Sequence, residues 1–289
     1  MHSSLNPWLG AERGHLTDWL TQRWVRVTGR RVRADAAPWL RGPTAPAHGV
    51  GPTYLDRYTS ENDVTVVTGG ESVGLLPRFA DLGGDGFDPN AVDPRIVEFY
   101  EHTDRYQLHL WSQWTAAFRP FGRLVDAIFS RRLGQLQLPL APLDTSRGIS
   151  SELTRLRGSD GELQTAWLRR RLPAGEVIYA GFYATCRVPL AAGPVVKVVF
   201  PLPIGNASVF LRPVARADGS FELVSPPATF GGPGFYFVVR ADEDSLWTRT
   251  VPLTEHIHVY VHDSALHTDH VLRLWGRTFL ELHYAMDTR

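Results

Sequence analysis

The second half of the chain is a succession of short alternating runs, and this limits the fold more than any other feature. From Ile149 onward the segments ISSELTRLR, ELQTAWLRRRL, EVIYAGFYATCRV, PVVKVVFPL, NASVFLRPVAR, SFELVSP, GFYFVVRA and SLWTRTV follow one another. Their apolar and polar side chains keep the period of two that marks a strand with two different faces. Turn residues separate them: Gly158-Ser159-Asp160-Gly161, Pro173-Ala174-Gly175, Pro203 to Asn206, Asp218-Gly219 and Gly231 to Gly234. Asp218-Gly219, between two alternating runs, is the clearest hairpin turn, because both residue types tolerate the positive φ it requires. Runs this short and evenly spaced predict an antiparallel sheet, strongly curved into a cup or closed into a barrel.

The first half reads differently. His15 to Thr28 is a candidate helix with Leu16, Trp19, Leu20, Trp24 and Val27 as its apolar stripe. Residues 34 to 60, rich in Pro, Gly and Ala, read as an extended connection, and Asp63 to Thr68 as a short strand. Pro94 to Gln137 carries the main helical signal. Asp93 is placed to cap it, Pro94 suits the first helical position, and Ile96, Val97, Phe99 and Tyr100 begin an apolar face. Trp111, Trp114, Phe118, Phe121, Val125 and Ile128 continue that stripe, with a kink expected at Pro120. Glu98, His102, Tyr106 and His109 would share a polar face of the same helix. Pro139 and Pro142 close this region.

The predicted fold is therefore α+β: a curved antiparallel sheet, cup- or barrel-like, in the C-terminal half, packed against N-terminal helices. Residues 1–289 read as one folded unit, with a mainly helical, loop-rich part over 1–143 and a β part with a ligand cavity over 144–289. The helix faces of the first part have no core of their own and need the sheet as partner.

Composition narrows the function. Thirty basic and thirty acidic residues cancel, which removes any global attraction to nucleic acid or anionic lipid. The basic runs Arg30-Arg31 and Arg169-Arg170-Arg171 are short, and a strand would send the latter to both faces. No nucleic-acid partner is expected. With one cysteine, Cys186, there is no intrachain disulfide. No apolar run is long enough to span a bilayer and the N-terminus lacks a signal peptide, so a soluble, cytoplasmic protein is expected. Nothing fixes an oligomeric state.

The chemistry concentrates between Thr254 and Met286, where six of eleven histidines fall: His256, His258, His262, His267, His270 and His283. Read as strands, His256, His258, Tyr260 and His262 point one way and Ile257, Val259 and Val261 the other. A break at Asp263-Ser264-Ala265 and a second at Trp275-Gly276-Arg277 make a three-stranded meander. Helical spacing of Val271, Trp275, Phe279, Leu282 and Met286 leaves a terminal helix as the alternative. With residues 263 to 265 as the turn, His258 lies opposite His270. The catalytic or ligand-facing set then comprises His258, Tyr260, His270 and Tyr284 on one face, over a floor of Leu272, Leu274, Leu280 and Leu282. Imidazole and phenol suit proton transfer to and from an enolate-like oxygen. The same register would let His256, His258 and His270 form a three-histidine metal site. A solvent-facing histidine ladder is the third reading.

Other motifs carry less. Gly70-Glu71-Ser72-Val73-Gly74 matches the G-x-S-x-G pattern of a nucleophile elbow, but Pro77 falls where the elbow helix should run. Cys186 reads as a buried small hydrophobe, and Lys197, the single lysine, as a snorkelling side chain. Neither a phosphate-binding Walker loop nor a dinucleotide fingerprint occurs, and no cofactor is expected. The sequence thus predicts a binder of a hydrophobic, lipid-like or polyketide-like small molecule in a sheet-lined cavity. Cofactor-independent isomerisation or cyclisation is the enzymatic form. A non-catalytic carrier or sensor, a serine hydrolase using Ser72 and a three-histidine metal enzyme are the alternatives.

Overall fold

A computed structural model of the chain describes residues 16–47, 49–70, 72–115, 149–171 and 176–289. It is mostly antiparallel β-sheet with few helices. The α-helices among the described residues are α1 (Leu16–Thr28), α2 (Tyr54–Glu61) and α3 (Pro94–Glu101). The strands begin with β1 (Arg30–Arg33), β2 (Thr65–Val66) and β3 (Tyr106–Trp114). They continue with β4 (Ile149–Arg157), β5 (Leu163–Arg171), β6 (Glu176–Cys186), β7 (Val195–Leu202) and β8 (Gly205–Ala215). After these come β9 (Phe221–Ser225), β10 (Gly234–Arg240), β11 (Ser245–Val251), β12 (Leu253–His262), β13 (Ala265–Leu274) and β14 (Arg277–Thr288).

All of these strands join one sheet, whose main path runs β2-β4-β5-β6-β7-β8-β9-β12-β13-β14-β3 with β1, β10 and β11 off it. Among the described residues its two ends, β2 and β3, do not pair, and the sheet is not closed. The sheet branches at β8. Residues Gly205 to Phe210 pair with β10, which carries β11 and β1 beyond it, and Arg212 to Ala215 pair with β9 across the Asp218-Gly219 hairpin. Sequence-adjacent strands pair through most of the path, as hairpin-rich patterning dictates.

One face of the sheet carries Val198, Val209, Phe221, Val259, Leu266 and Met286 into the largest core cluster. We refer to it as the inner face. Phe79 and Tyr100 meet the ring of Phe221 at 5.0 and 5.3 Å, so the segment around α3 is part of the same core. The opposite face at β5 to β8 is covered by Trp39, Leu40, Tyr54 and Leu55.

Three local expectations change. The Pro94 helix does begin with Asp93 accepting from the backbone N–H of Arg95, but it ends at Glu101 with His102 as its C-cap. Tyr106 to Trp114 is the strand β3 and not helix. Its alternation places Leu108, Leu110, Ser112 and Trp114 on one side, and β14 offers a free edge for that side to extend. Glu98, His102, Tyr106 and His109 therefore form no common helix face. The part of the predicted stripe beyond residue 115, including Phe118, Pro120, Phe121, Val125 and Ile128, lies outside the described residues, as do Pro139 and Pro142. Residues 34 to 60 are not simply extended, since α2 forms at Tyr54. In α1 the buried side is Asp18, Gln22 and Val25, while Leu20, Trp24 and Val27 stay exposed. Gln22 turns inward because its amide donates to the Pro203 carbonyl at 3.2 Å.

Candidate functional site on the inner face

The meander 253–288 forms as strands, which settles the helix alternative for β13 and β14. Its first turn, however, has two residues and not three. Asp263 and Ser264 both adopt positive φ, 49° and 67°, so His262 pairs with Ala265. His258 then lies opposite Asp269, and His270 opposite Ile257. A shift of one residue sends His270 to the other face, because side chains alternate with a period of two.

The predicted set is therefore split. His258 and Tyr260 stand on the outer face, and His270 and Tyr284 on the inner face with Leu272, Leu280 and Leu282. The three-histidine arrangement of His256, His258 and His270 is lost with the same shift. Among the described residues no group of three or more His, Cys, Asp or Glu side chains is placed to hold a metal ion.

The outer histidines form a stacked ladder held by local polar contacts. His258 and Tyr260 rings stack at 5.0 Å, Tyr260 and His267 at 5.7 Å. His258 Nε2 lies 3.0 Å from Ser220 Oγ, His256 3.2 Å from Glu222, and His283 2.7 Å from Asp269. Each imidazole is thereby engaged by a neighbour on its own sheet face.

The inner face holds a different constellation. Continuous register carries one side from Ser151 on β4, through Thr165, Trp167 and Arg169 on β5, to Tyr179, Gly181 and Tyr183 on β6. The same side contains Glu255 on β12, His270 on β13 and Tyr284 on β14. The hydroxyls of Tyr179 and Tyr183 share a hydrogen bond. They can meet because Gly181 lies between them: a Cβ there would come within 2.6 Å of the Tyr179 hydroxyl. Trp167 packs edge-on against Tyr179 at 5.4 Å and donates its indole N–H to Ser151 Oγ at 2.6 Å. The Arg169 guanidinium sits 5.4 Å from the centre of the Trp167 ring. Glu255 and His270, both largely buried, meet at 3.2 Å.

Burial pushes the phenols of Tyr179, Tyr183 and Tyr284 above the ordinary tyrosine value. Tyr284 and Glu255 also raise Tyr179 and Tyr183 electrostatically, while Arg169 lowers Tyr179 and Tyr284. Residues far apart along the path of the sheet thus act on one another. Yet Tyr179, Tyr183 and Tyr284 each keep water-accessible surface, as do Leu253, Ile257 and Val261 on the same face. Tyr179, Tyr183, Leu253, Ile257 and Val261 pack against the main core cluster and remain only partly buried.

The sequence alone does not bring Trp167, Tyr179, Tyr183 and Glu255 forward, and Arg169 enters there only within the Arg169-Arg170-Arg171 run. The signals were present as W-x-R and Y-x-G-x-Y. Spacing by two puts polar and aromatic groups on the face that should be apolar.

Ser72 stands in a loop, and its hydroxyl donates to Asp104, whose other oxygen accepts from the backbone N–H of Val73 at 2.8 Å. Among the described residues only short 3-10 turns and no α-helix lie between it and α3, so the strand–turn–helix setting of a nucleophile elbow is absent there. Cys186 has its thiol pushed up to about 11 by burial. Lys197 donates to the Arg41 carbonyl, and burial lowers its ammonium.

No protein family matches the chain, and no solved structure matches it. Over 241 residues the chain is 28% identical to YndJ of Bacillus subtilis (strain 168), which is described as an uncharacterized membrane protein. The matched region is 82% of this chain and 41% of that protein, so the chain spans less than half of that relative's length. Among the described residues of this chain no helix is long and apolar enough to cross a membrane.

Proposed function

We propose that the chain binds a hydrophobic small molecule, lipid-like or polyketide-like, against the inner face of its sheet. In this reading the sheet bends into a cup, β5 and β6 looking across at β12 and β14, with the segment around α3 packed against it. The observation that carries the proposal is the partial accessibility of Tyr179, Tyr183, Tyr284, Leu253, Ile257 and Val261 beside the fully buried Val259, Leu266 and Leu280. Apolar lining with a few convergent polar groups is the usual make-up of a small-molecule site.

The enzymatic form of this reading uses the same groups without a cofactor. His270, oriented by Glu255, takes a proton from the ligand, and a Tyr284 or Tyr179 phenol donates a hydrogen bond to the developing oxyanion. Isomerisation or cyclisation of a carbonyl-bearing substrate follows from such a pair. Without turnover the site serves a carrier. A cytoplasmic location belongs to the same proposal, supported by a chain whose one cysteine is free.

Native mass spectrometry of the purified chain tests the binding. An organic adduct that disappears on denaturation is the expected result, and its mass names the ligand class. A bare mass, together with no uptake of an apolar fluorescent probe, rejects the proposal. His270→Gln separates the two forms, since an enzyme keeps its affinity and loses turnover.

A further inference from the structure

We propose that the ligand carries a carboxylate and that Arg169 receives it. This assignment rests on the binding reading above and adds the chemical class of the ligand's polar end.

Arg169 is 8% exposed, yet its Nε has no hydrogen-bond partner. Among the described residues its guanidinium donates to nothing and joins no ion pair. Its neighbours on the same strands have partners at their terminal nitrogens, although the Nε of Arg170 is unpartnered as well. Arg170, on the other side of β5, reaches Glu152 at 2.7 Å and the Pro52 carbonyl at 3.4 Å. Arg155 donates to Thr165 Oγ1 at 2.8 Å and to the Leu76 carbonyl at 3.5 Å. A buried guanidinium left without an anion is costly, and such groups are found paired. Glu255, a carboxylate on the same face, is engaged with His270.

The surroundings hold Arg169 in place for an incoming partner. Its cation lies over the Trp167 ring, and that ring is fixed by the bond to Ser151. The paired positions of Arg169 are Ser151 on β4 and Tyr179 on β6, so a hydroxyl flanks it on each side. A planar fork with flanking hydroxyl donors matches a carboxylate, which accepts two parallel N–H bonds and further O–H bonds. The apolar Leu253, Ile257 and Val261 of the same face leave the rest of the molecule hydrocarbon. The geometry points to a long-chain carboxylic acid or a similar amphipathic acid.

The test compares cis-parinaric acid with its methyl ester by fluorescence titration of the full chain. The expected result is acid binding about 10- to 100-fold tighter than ester, the usual value of a hydrogen-bonded ion pair. Arg169→Gln, checked by circular dichroism, should abolish the acid's advantage over the ester. Arg169→Lys, which keeps charge but not the fork, should fall between. Equal binding of acid and ester by the native chain overturns the carboxylate assignment and leaves the hydrophobic site standing; that comparison needs no variant to fold. An acid preference that survives in Arg169→Gln likewise overturns it. Binding of neither probe rejects both this assignment and the site on which it rests.

Discussion

Glu255 and His270 meet diagonally across β12 and β13, Oε2 to Nε2 at 3.2 Å, on the inner face of the sheet. Diagonal cross-strand neighbours are within reach of long side chains, and here the reach is fixed by a two-residue turn. Had the turn held three residues, His270 would stand on the outer face beside His258. One position in one turn decides which histidine stands on the inner face.

The pair is expected to be energetically coupled. Glu255→Ala and His270→Ala should each cost about 1–3 kcal/mol, because each strands a largely buried polar partner. The double variant should cost less than the two singles together, with a coupling of about 0.5–3 kcal/mol. Urea unfolding of the four proteins measures this, and strict additivity would mean that the contact contributes nothing to stability.

Much of the β architecture was legible because it is local. Asp218-Gly219, the alternation of β12 and the Asp93 cap of α3 are each set by a few adjacent residues, and they appear where the sequence puts them. What was not legible depends on neighbours far along the chain. Tyr106 to Trp114 fits both a helix and a strand, and the edge of β14, over 160 residues away, decides it. The site was half legible for the same reason. His270 and Tyr284, expected from the sequence to face a ligand, share the inner face, whereas Arg169, Tyr179 and Tyr183 come from strands whose inward side only the assembled sheet defines.

Gly181 is expected to tolerate no side chain. In Gly181→Ala the new Cβ would lie 2.6 Å from the Tyr179 hydroxyl and 2.9 Å from its ring carbons. The ring must swing and break its contact with Tyr183, at about 1–3 kcal/mol for the overpacking. Thermal unfolding should show the loss, and a fluorescent apolar probe should bind the variant more weakly. An unchanged melting temperature would mean that the Tyr179 ring moves freely.

The two turns of the meander leave room for stabilisation. Ser264 holds φ 67° and Trp275 φ 49°, conformations that side chains disfavour by about 1–2 kcal/mol. Ser264→Gly and Trp275→Asn should therefore each raise stability, the second at an exposed position where nothing else is lost. Denaturant midpoints should rise in both; a fall would show that these side chains contribute more than their backbone costs.

Glu222 links the outer face to acid stability. Burial works to raise its carboxyl, but the Arg216 hydrogen bond at 2.6 Å and the His256 charge outweigh it, and the folded value lies below the ordinary 4.5. A depressed carboxylate contributes stability above its unfolded pKa, and the contribution is lost as pH falls through the folded value. Stability measured against pH should drop on the acid side below 4.5, and Glu222→Gln should flatten that part of the curve. An identical acid limb in the variant would assign acid sensitivity to other carboxylates.

The tyrosines give the broadest test of the inner face. All nine have their phenols raised above the ordinary value of 10.0, burial being the largest cause in each. For a group whose folded pKa is raised, stability is fully present below the unfolded value and is lost as pH rises through the folded one. Near pH 10, where about half of free phenols are ionised, the native chain should show little tyrosinate absorbance. The absorbance should then climb together with the loss of circular dichroism, since unfolding releases phenols that the fold keeps neutral. Tyr54, Tyr100, Tyr179 and Tyr183, which burial raises furthest, should be among the last to ionise, and a bound ligand should delay them further by stabilising the folded state. Ionisation of most phenols with the native circular dichroism intact would place these hydroxyls in open water and remove the enclosed face on which ligand binding depends.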